Sequence, residues 1–537
     1  MSAPKRRGAD ALARTLRRSG VRRIFTLSGN HVMPVFDAAL DAGLDLVHVR
    51  HEAAAVHMAD AWARLTGEVG VALVTGGPGH ANAVGALYTA AMAEAPVLLL
   101  SGHAPLAQLG RGAFQEMRQA EIAVPLTKAA GTAQRADTLA REVVQAMALA
   151  ASGRAGPVHV SLPQDVLEAG APDDDAAYAA RPAPAATFDA AAFLAPMQRA
   201  RRPLILCGPS CMSHEGRARM RALEEASGIP VVGMESPRGI ADPALGAFAQ
   251  LLATADRVLL LGKRLDFTLR FGAPPAFDAA CEFLQLDPET AEIERTARAV
   301  GNRIVASAVA DIRASLEALT RAARVAESGW LGEVRDAIAF RPAAWDGARA
   351  SQPGRLHPVQ ALRPLQALLD AHPRSVFIAD GGEFGQWAQA CLDAPHRVIN
   401  GMAGSIGAGL PFALAARLAQ PEAPVIAALG DGTFGFHCAE IDTAVRYGLP
   451  FVAVVGNDAR WNAEYQIQLR DYGAGRLVGC ELLPARYERV AQGFGAHGES
   501  VTDGASLLPA AQRAMASSRP AVLNVMIEGL AAPDVRR

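Results

Sequence analysis

Gly430–Trp461, GDGTFGFHCAEIDTAVRYGLPFVAVVGNDARW, is the stretch on which the reading of the chain turns. An Asp sits in a Gly-Asp-Gly clip after the apolar run VIAAL, and an Asn follows the next apolar run, FVAVVG. Both runs read as buried parallel strands. FHCAEIDTAVRYG between them reads as the crossover helix, ended by Gly448 and Pro450. A right-handed βαβ unit brings such strands near each other. Asp431 and Asn457 then emerge at the carboxyl ends of the strands, the edge where ligands of α/β sheets bind. One carboxylate oxygen, one amide oxygen and a nearby backbone carbonyl, that of Ala459, make an oxygen-only site suited to Mg²⁺. Gly430 and Gly432 let the backbone approach a diphosphate. Thr433 can donate a hydroxyl bond at the helix N-terminus, where the dipole favours anions. Taken alone, a Gly-Asp-Gly turn followed by a helix cap explains the same residues, and the Asn after the next strand adds weight to a ligand site without deciding it.

The same alternation extends through the chain. From Gly8 to Pro163 the runs RRIFTLSG, LDLVHVR, VGVALVTGG, APVLLLSG and GPVHVSLP are separated by helix-length segments, the pattern of parallel βα units. Periodicity is lost in EAGAPDDDAAYAARPAPAATFDAAA (residues 168–192), which reads as a linker. A second block carries RPLILCG, IPVVGM, RVLLLGKRL and CEFLQLD. After the polar stretch ARASQPGRLHP, a third carries SVFIADGG, APVIAALGDG, LPFVAVVGND and PAVLNVMIEG. The expected architecture is α/β: three doubly wound parallel-sheet domains over residues 1–170, 188–335 and 355–537. No residue-level repeat is visible, yet the first and third blocks could share a fold.

Composition narrows the function. Basic and acidic residues number 52 and 54, for a net charge of −2, which argues against nucleic acid or an anionic membrane as the main partner. Of six cysteines only Cys207 and Cys211 lie close together, with no second pair to complete a zinc site. A reduced, cytoplasmic protein with free thiols is expected. MSAPKRRGADALARTLRRSGVRRIF reads as a first helix rather than a signal peptide, and no segment is apolar for long enough to span a membrane.

The Gly430–Trp461 stretch resembles the cofactor motif of thiamine-diphosphate enzymes, Gly-Asp-Gly followed some two dozen residues later by Asn-Asn. Here Gly456 replaces the first Asn and Asn457 keeps the metal-ligand position; the glycine often found two residues on is Ala459. The cofactor needs a carboxyl group at its aminopyrimidine ring to move a proton. VRHEAAAVHMADAWARLTGEVGVALVTGGPGHAN resembles the acetolactate synthase and benzaldehyde lyase pattern, which gives that role to Glu52 and places Pro78 near the pyrimidine. In isolation, Glu52 reads as a first-turn acid favoured by the helix dipole. In NGMAGSIGAGLPFALAARLA the resemblance implies that the Gly404 carbonyl accepts from the cofactor's amino group, with Ser405 beside it, and that Ile406 wedges between the rings. In ADGGEFGQW it implies diphosphate contacts at Gly381 and Gly382.

LSGNHVMPVFDA resembles the benzaldehyde lyase segment that supplies an active-site His, here His31. GRGAFQEMRQAEI resembles the loop that supplies a Gln, here Gln115, beside Phe114. His80 and His103 read as structural. Glu464, in the helix expected from WNAEYQIQL, is a candidate proton relay or a solvated face in equal measure. The resemblance covers nearly the whole chain. It implies a carbon–carbon lyase or carboligase acting on 2-oxo acids or acyloins, with thiamine diphosphate and Mg²⁺, in a homo-oligomer that is a dimer at minimum and usually a tetramer. A 2-hydroxyacyl-CoA lyase or oxalyl-CoA decarboxylase is the alternative, to which LGKRLDFTLRFG points. A non-catalytic relative is the third class, disfavoured because Glu52 and the metal pair are intact. FAD or ADP in the central block is left open. An NAD dehydrogenase is not expected, because no G-x-G-x-x-G follows the first strand.

Overall fold

The computed structural model describes residues 6–172, 176–179, 188–325 and 329–537. The linker expected over residues 168–192 lies partly outside these. Three parallel sheets organise the chain. The first holds β1 (Arg23–Thr26), β2 (Asp45–His48), β3 (Gly70–Val74), β4 (Val97–His103), β5 (Ala129–Thr132) and β6 (Val158–Pro163), in the order β2-β1-β3-β4-β6-β5. The second holds β7 (Pro203–Cys207), β8 (Val231–Gly233), β9 (Arg257–Leu261), β10 (Glu282–Asp287) and β11 (Ile304–Val309), in the order β11-β10-β9-β7-β8. The third holds β12 (Val376–Ala379), β13 (His396–Ile399), β14 (Val425–Gly430), β15 (Val452–Asn457), β16 (His497–Val501) and β17 (Ala521–Met526), in the order β13-β12-β14-β15-β17-β16.

The first and third sheets therefore share one topology, strand for strand. Each reverses direction between its first and third strands, so each has a switch point, at β1/β3 and at β12/β14. Doubly wound sheets open a crevice for ligands there. The central strands are apolar because helices cover both faces. Leu73, Leu98 and Leu100 are fully buried in the first sheet, and Ile426, Val454 and Leu523 in the third. Each such side chain contributes about 2 kcal/mol. The expected first helix forms over Gly8–Arg18 and buries Leu12 and Leu16 against the first sheet.

The chain falls into two compact units. The first comprises Met1–Arg181 together with Leu410–Pro421 and His437–Leu449; the second comprises Pro182–Gly409, Glu422–Phe436 and Pro450–Arg537. Within the first unit, the helix Glu440–Arg446 and the residue after it run along the free edge of β2. The Tyr447 hydroxyl donates to the Leu46 carbonyl (2.9 Å) and accepts from the His48 amide (2.8 Å). Arg446 donates to the His48 carbonyl (2.7 Å), and the Arg50 amide donates to Glu440 (2.9 Å). Residues 46, 48 and 50 share one edge of an extended chain. Side chains of this helix thus satisfy backbone groups that an open sheet edge would leave bare.

The crossover between β14 and β15 differs from expectation. A short helix, Asp431–Phe436, precedes a second, Glu440–Arg446. Gly432 and Gly435 weaken the first of these, and the chain turns at His437–Ala439 before resuming.

Candidate active site

The first unit gathers one group of the expected residues at its switch point. Glu52 opens the helix Glu52–Thr66, whose N-cap is His51: the Ala53 amide donates to His51 Nδ1 (3.2 Å). Glu52 is buried, and its Oε2 accepts from Asn82 Nδ2 (3.0 Å). Asn82 lies in the helix Pro78–Met92, one turn beyond Pro78. The turn before that helix is severe. Gly77 has φ +59° and ψ −114°, and a Cβ there would lie 2.7 Å from both Cβ and the carbonyl oxygen of Gln115. Gln115 itself is left-handed, at φ +56°, unusual for a residue with a side chain. The loop carrying Phe114 and Gln115 is therefore seated on the Gly-Pro-Gly turn.

Gln119, which the sequence reading passed over, fastens this arrangement. Its Oε1 accepts from the Gly77 amide (2.7 Å), and its Nε2 donates to the Gly102 carbonyl and to Ser161 Oγ (3.1 Å each). His31 is buried, with Nδ1 3.3 Å from Thr75 Oγ1 and its ring stacked on Phe114 at 6.0 Å between centroids. Burial and the nearby His103 hold its pKa below the usual histidine value. Phe114 is exposed. His80 is fully buried against Ser101 Oγ (2.9 Å) and burial pushes it down to about 4, while His103 faces the carbonyls of Ala104 and Met117 (3.1 and 3.0 Å).

The second unit gathers the other group. Gly430 pairs with Gly456, so Asp431 and Asn457 stand level at the ends of neighbouring strands. Asp431 is buried and its Oδ2 has no hydrogen-bond partner; desolvation lifts its carboxyl to about 6. Asn457 is fully buried. Its Nδ2 donates to the Ala485 carbonyl and to Asn524 Oδ1 (3.0 Å each), which leaves its oxygen, meeting only the Ala459 amide at 3.2 Å, turned toward the turn. Ala459 is left-handed at φ +61°, and its carbonyl accepts from the Leu482 amide (2.7 Å), with one lone pair remaining. An orphaned carboxylate oxygen beside an amide whose donors are already used is a site that a hard cation fits. Among the described residues no cluster of three or more His, Cys, Asp or Glu side chains competes for a metal. Asp458, next in sequence, is pushed up to about 8 by burial and by the charge of Asp431.

Two expected phosphate contacts have local packing reasons. A Cβ on Gly432 would lie 2.6 Å from the Trp461 ring, so Trp461 alone demands glycine there. Contrary to the outward donor expected of Thr433, its hydroxyl donates to the Gly430 carbonyl (2.9 Å) and closes the turn.

Asp380 at the end of β12, also passed over, organises the rest. It is fully buried. Its Oδ1 accepts from the Gly381 amide (2.6 Å), its Oδ2 from the Gly409 amide (2.8 Å), and both from the Gly407 amide (3.1 Å). The loop of Gly404, Ser405 and Ile406 is thereby tied to β12, helped by Asn400 Nδ2 donating to the Ser405 carbonyl (2.9 Å). Ile406 leans over Gly381, where a Cβ would lie 2.4 Å from its Cγ2; Gly382 and Gly404 are left-handed, at φ +77° and +66°. Glu464 is exposed on the helix Asn462–Tyr472 and adds negative charge beside Glu383. In the central sheet, Lys263 of LGKRLDFTLRFG is fully buried and donates to Thr268 Oγ1 (2.6 Å).

The N-terminal TPP binding domain of thiamine pyrophosphate enzymes matches residues 6–122, the central domain residues 190–319, and the C-terminal TPP binding domain residues 380–525. The chain is 33% identical over 532 residues to the acetolactate synthase large subunit IlvG of Mycobacterium tuberculosis, covering 96% of this chain and 95% of that one. It is 31% identical over 583 residues to human 2-hydroxyacyl-CoA lyase 2, covering 97% and 90%. Among solved structures, the thiamine diphosphate-dependent 4-hydroxybenzoylformate decarboxylase of Rhodococcus jostii RHA1 shares the fold, with a TM-score of 0.82 at 21% identity over 97% of this chain and 99% of that one. The chain belongs to the thiamine pyrophosphate enzyme family.

Proposed function

We propose that the protein is a thiamine-diphosphate- and Mg²⁺-dependent carbon–carbon lyase or carboligase acting on 2-oxo acids or acyloins. The observation that carries this reading is the seating of His31 and Gln115 around the Gly-Pro-Gly turn beside Glu52. When bound, thiamine diphosphate supplies a carbon nucleophile and an electron sink for cleaving or forming a bond next to a carbonyl. Glu52, oriented by Asn82, exchanges the proton at the aminopyrimidine. Pro78 and the Gly404–Ile406 loop position that ring. Asp431, Asn457 and the Ala459 carbonyl hold Mg²⁺ against the diphosphate, with Gly381, Gly382, Gly430, Gly432 and Thr433 lining its approach. His31 and Gln115 donate to the substrate oxygen as charge develops on it. Glu464 relays protons to the substrate, a role that leaves a different pH–rate profile in Glu464→Gln.

The second reading, a 2-hydroxyacyl-CoA lyase, is supported by the relatives that carry that name. Three domains over residues 1–170, 188–335 and 355–537, a homotetrameric assembly and a cytoplasmic location complete the proposal. Purified protein incubated with thiamine diphosphate, Mg²⁺ and a panel of 2-oxo acids, acyloins and 2-hydroxyacyl-CoAs, with products identified by mass, decides between the two. Asp431→Ala abolishes Mg²⁺-dependent cofactor binding in calorimetry; unchanged affinity refutes the metal site.

A further inference from the structure

Glu440 has no part in the chemistry above, yet it is 1% exposed and its carboxylate is fully engaged. Oε1 accepts from the Arg50 amide (2.9 Å), Oε2 accepts from the Thr443 hydroxyl (2.6 Å), and the His51 amide lies near enough to favour the charged carboxylate. These are the amides of the two residues immediately before Glu52. The same helix fixes β2 further back through Tyr447 and Arg446. Arg50 is held from its other end as well, its guanidinium 3.3 Å from Asp442.

We propose that Glu440 is a positioning residue for Glu52: it fixes the Arg50–His51 peptides and so sets where the helix carrying Glu52 begins. The proposal rests on the reading of Glu52 as the proton-exchanging carboxylate. A helix start has amides without intrahelical partners, and those preceding it hold only what the surroundings supply. Here the supply is a buried carboxylate, whose charge-assisted bonds are stronger than neutral ones. Burial raises the Glu440 pKa, opposed by the Thr443 hydroxyl and the two amides. The Arg446 charge also favours the ionised form, and the His437 ring packs edge-on against His51. The side chain of Glu52 is oriented separately, by Asn82. Glu440 therefore sets the backbone origin and Asn82 the carboxylate rotation. A displacement of about 1 Å at a reacting group can cost about 10²-fold in rate.

The test uses the holoenzyme with thiamine diphosphate and Mg²⁺, reading hydrogen–deuterium exchange at the cofactor C2 by NMR and cofactor affinity by calorimetry. Glu440→Ala should slow exchange by about 10²-fold with affinity retained. Glu440→Gln should recover most of the rate, because its amide oxygen still accepts from Arg50 while its amino group donates to Thr443 Oγ1. Tyr447→Phe, which loosens only the strand edge, should exchange at the wild-type rate. Wild-type exchange in Glu440→Ala overturns the proposal, as does a Glu440→Gln no faster than Glu440→Ala or a Tyr447→Phe equally slow. If Glu440→Ala does not fold, Glu440→Asp takes its place: its acceptor is withdrawn by one methylene, and it must exchange more slowly than Glu440→Gln. Glu52→Gln is measured alongside. If that variant also exchanges at the wild-type rate, the assignment of Glu52 fails; if it is slow while Glu440→Ala is fast, only the positioning role fails.

Discussion

Asp380→Asn isolates what a buried carboxylate does for the loop proposed to contact the cofactor. Three backbone amides converge on it: Gly381 on Oδ1, Gly409 on Oδ2 and Gly407 on both. An asparagine presents one acceptor oxygen. In either amide orientation its amino group faces a backbone amide that also donates, so the Gly381 or the Gly409 amide loses its partner. An unsatisfied buried donor costs about 1–3 kcal/mol, and the remaining bonds weaken from charged to neutral acceptors. Desolvation works the other way: burial raises the Asp380 pKa, and the neutral amide is spared that cost. The balance is a net loss of about 2 kcal/mol. It falls on the loop of Gly404, Ser405 and Ile406, which must be ordered to bind, so affinity should drop by about thirtyfold at 1.4 kcal/mol per decade. Titration calorimetry of thiamine diphosphate with Mg²⁺ reads this directly. A dissociation constant equal to wild type, with an unchanged melting temperature, would refute the reasoning.

Three further outcomes are expected. Gly77→Ala places a methyl 2.7 Å from Gln115 in a backbone region closed to L-residues; it should lower the melting temperature and open the Phe114–Gln115 loop to protease, and an unchanged digestion pattern counts against the seating of that loop. His31→Ala and Gln115→Ala should each cut acyloin formation and cleavage by about 10²–10³-fold with cofactor affinity intact; wild-type rates in both move the CoA-linked reading ahead. His80 is held near 4, below its unfolded value of 6.5. Its contribution to stability is complete above pH 6.5 and is lost as pH falls toward 4, so melting temperatures of His80→Gln should decline less over that window than those of wild type, and parallel curves would show that another group titrates.

Every central strand was read correctly from sequence, because both faces are covered and the apolar run is unbroken; the edge strands β2 and β8 were read as well. The strands not anticipated, β5, β11, β13 and β16, are all edge strands. In two of them half-exposed faces break the run, with Ala129–Thr132 and Ile304–Val309 alternating between partly and fully exposed positions; β13 is mostly buried, but it has only four residues and two of them are His396 and Arg397. At the candidate site, the strand-end places of Asp431 and Asn457 were legible from motif spacing, whereas the role expected of Glu52 came from the family resemblance. Asp380, Gln119 and Glu440 were not legible. Their partners are backbone amides distant in sequence, and no local pattern records that a peptide group needs an acceptor. Asn82 stood within a quoted motif, but only the fold reveals that it reaches Glu52.

The first unit is not made from the first part of the chain alone, and this bears on its autonomy. Residues 410–421 and 437–449 complete it, with Phe412 against His57 and Arg64. A nascent chain cannot finish this unit until residue 449 has been synthesised, so the sheet built from residues 23–163 waits on a much later segment. A fragment ending near residue 181 would carry an uncovered strand edge and an uncovered helix face. Such a fragment should be sticky rather than modular, and a chaperone's interest in the growing chain should persist until the final third arrives.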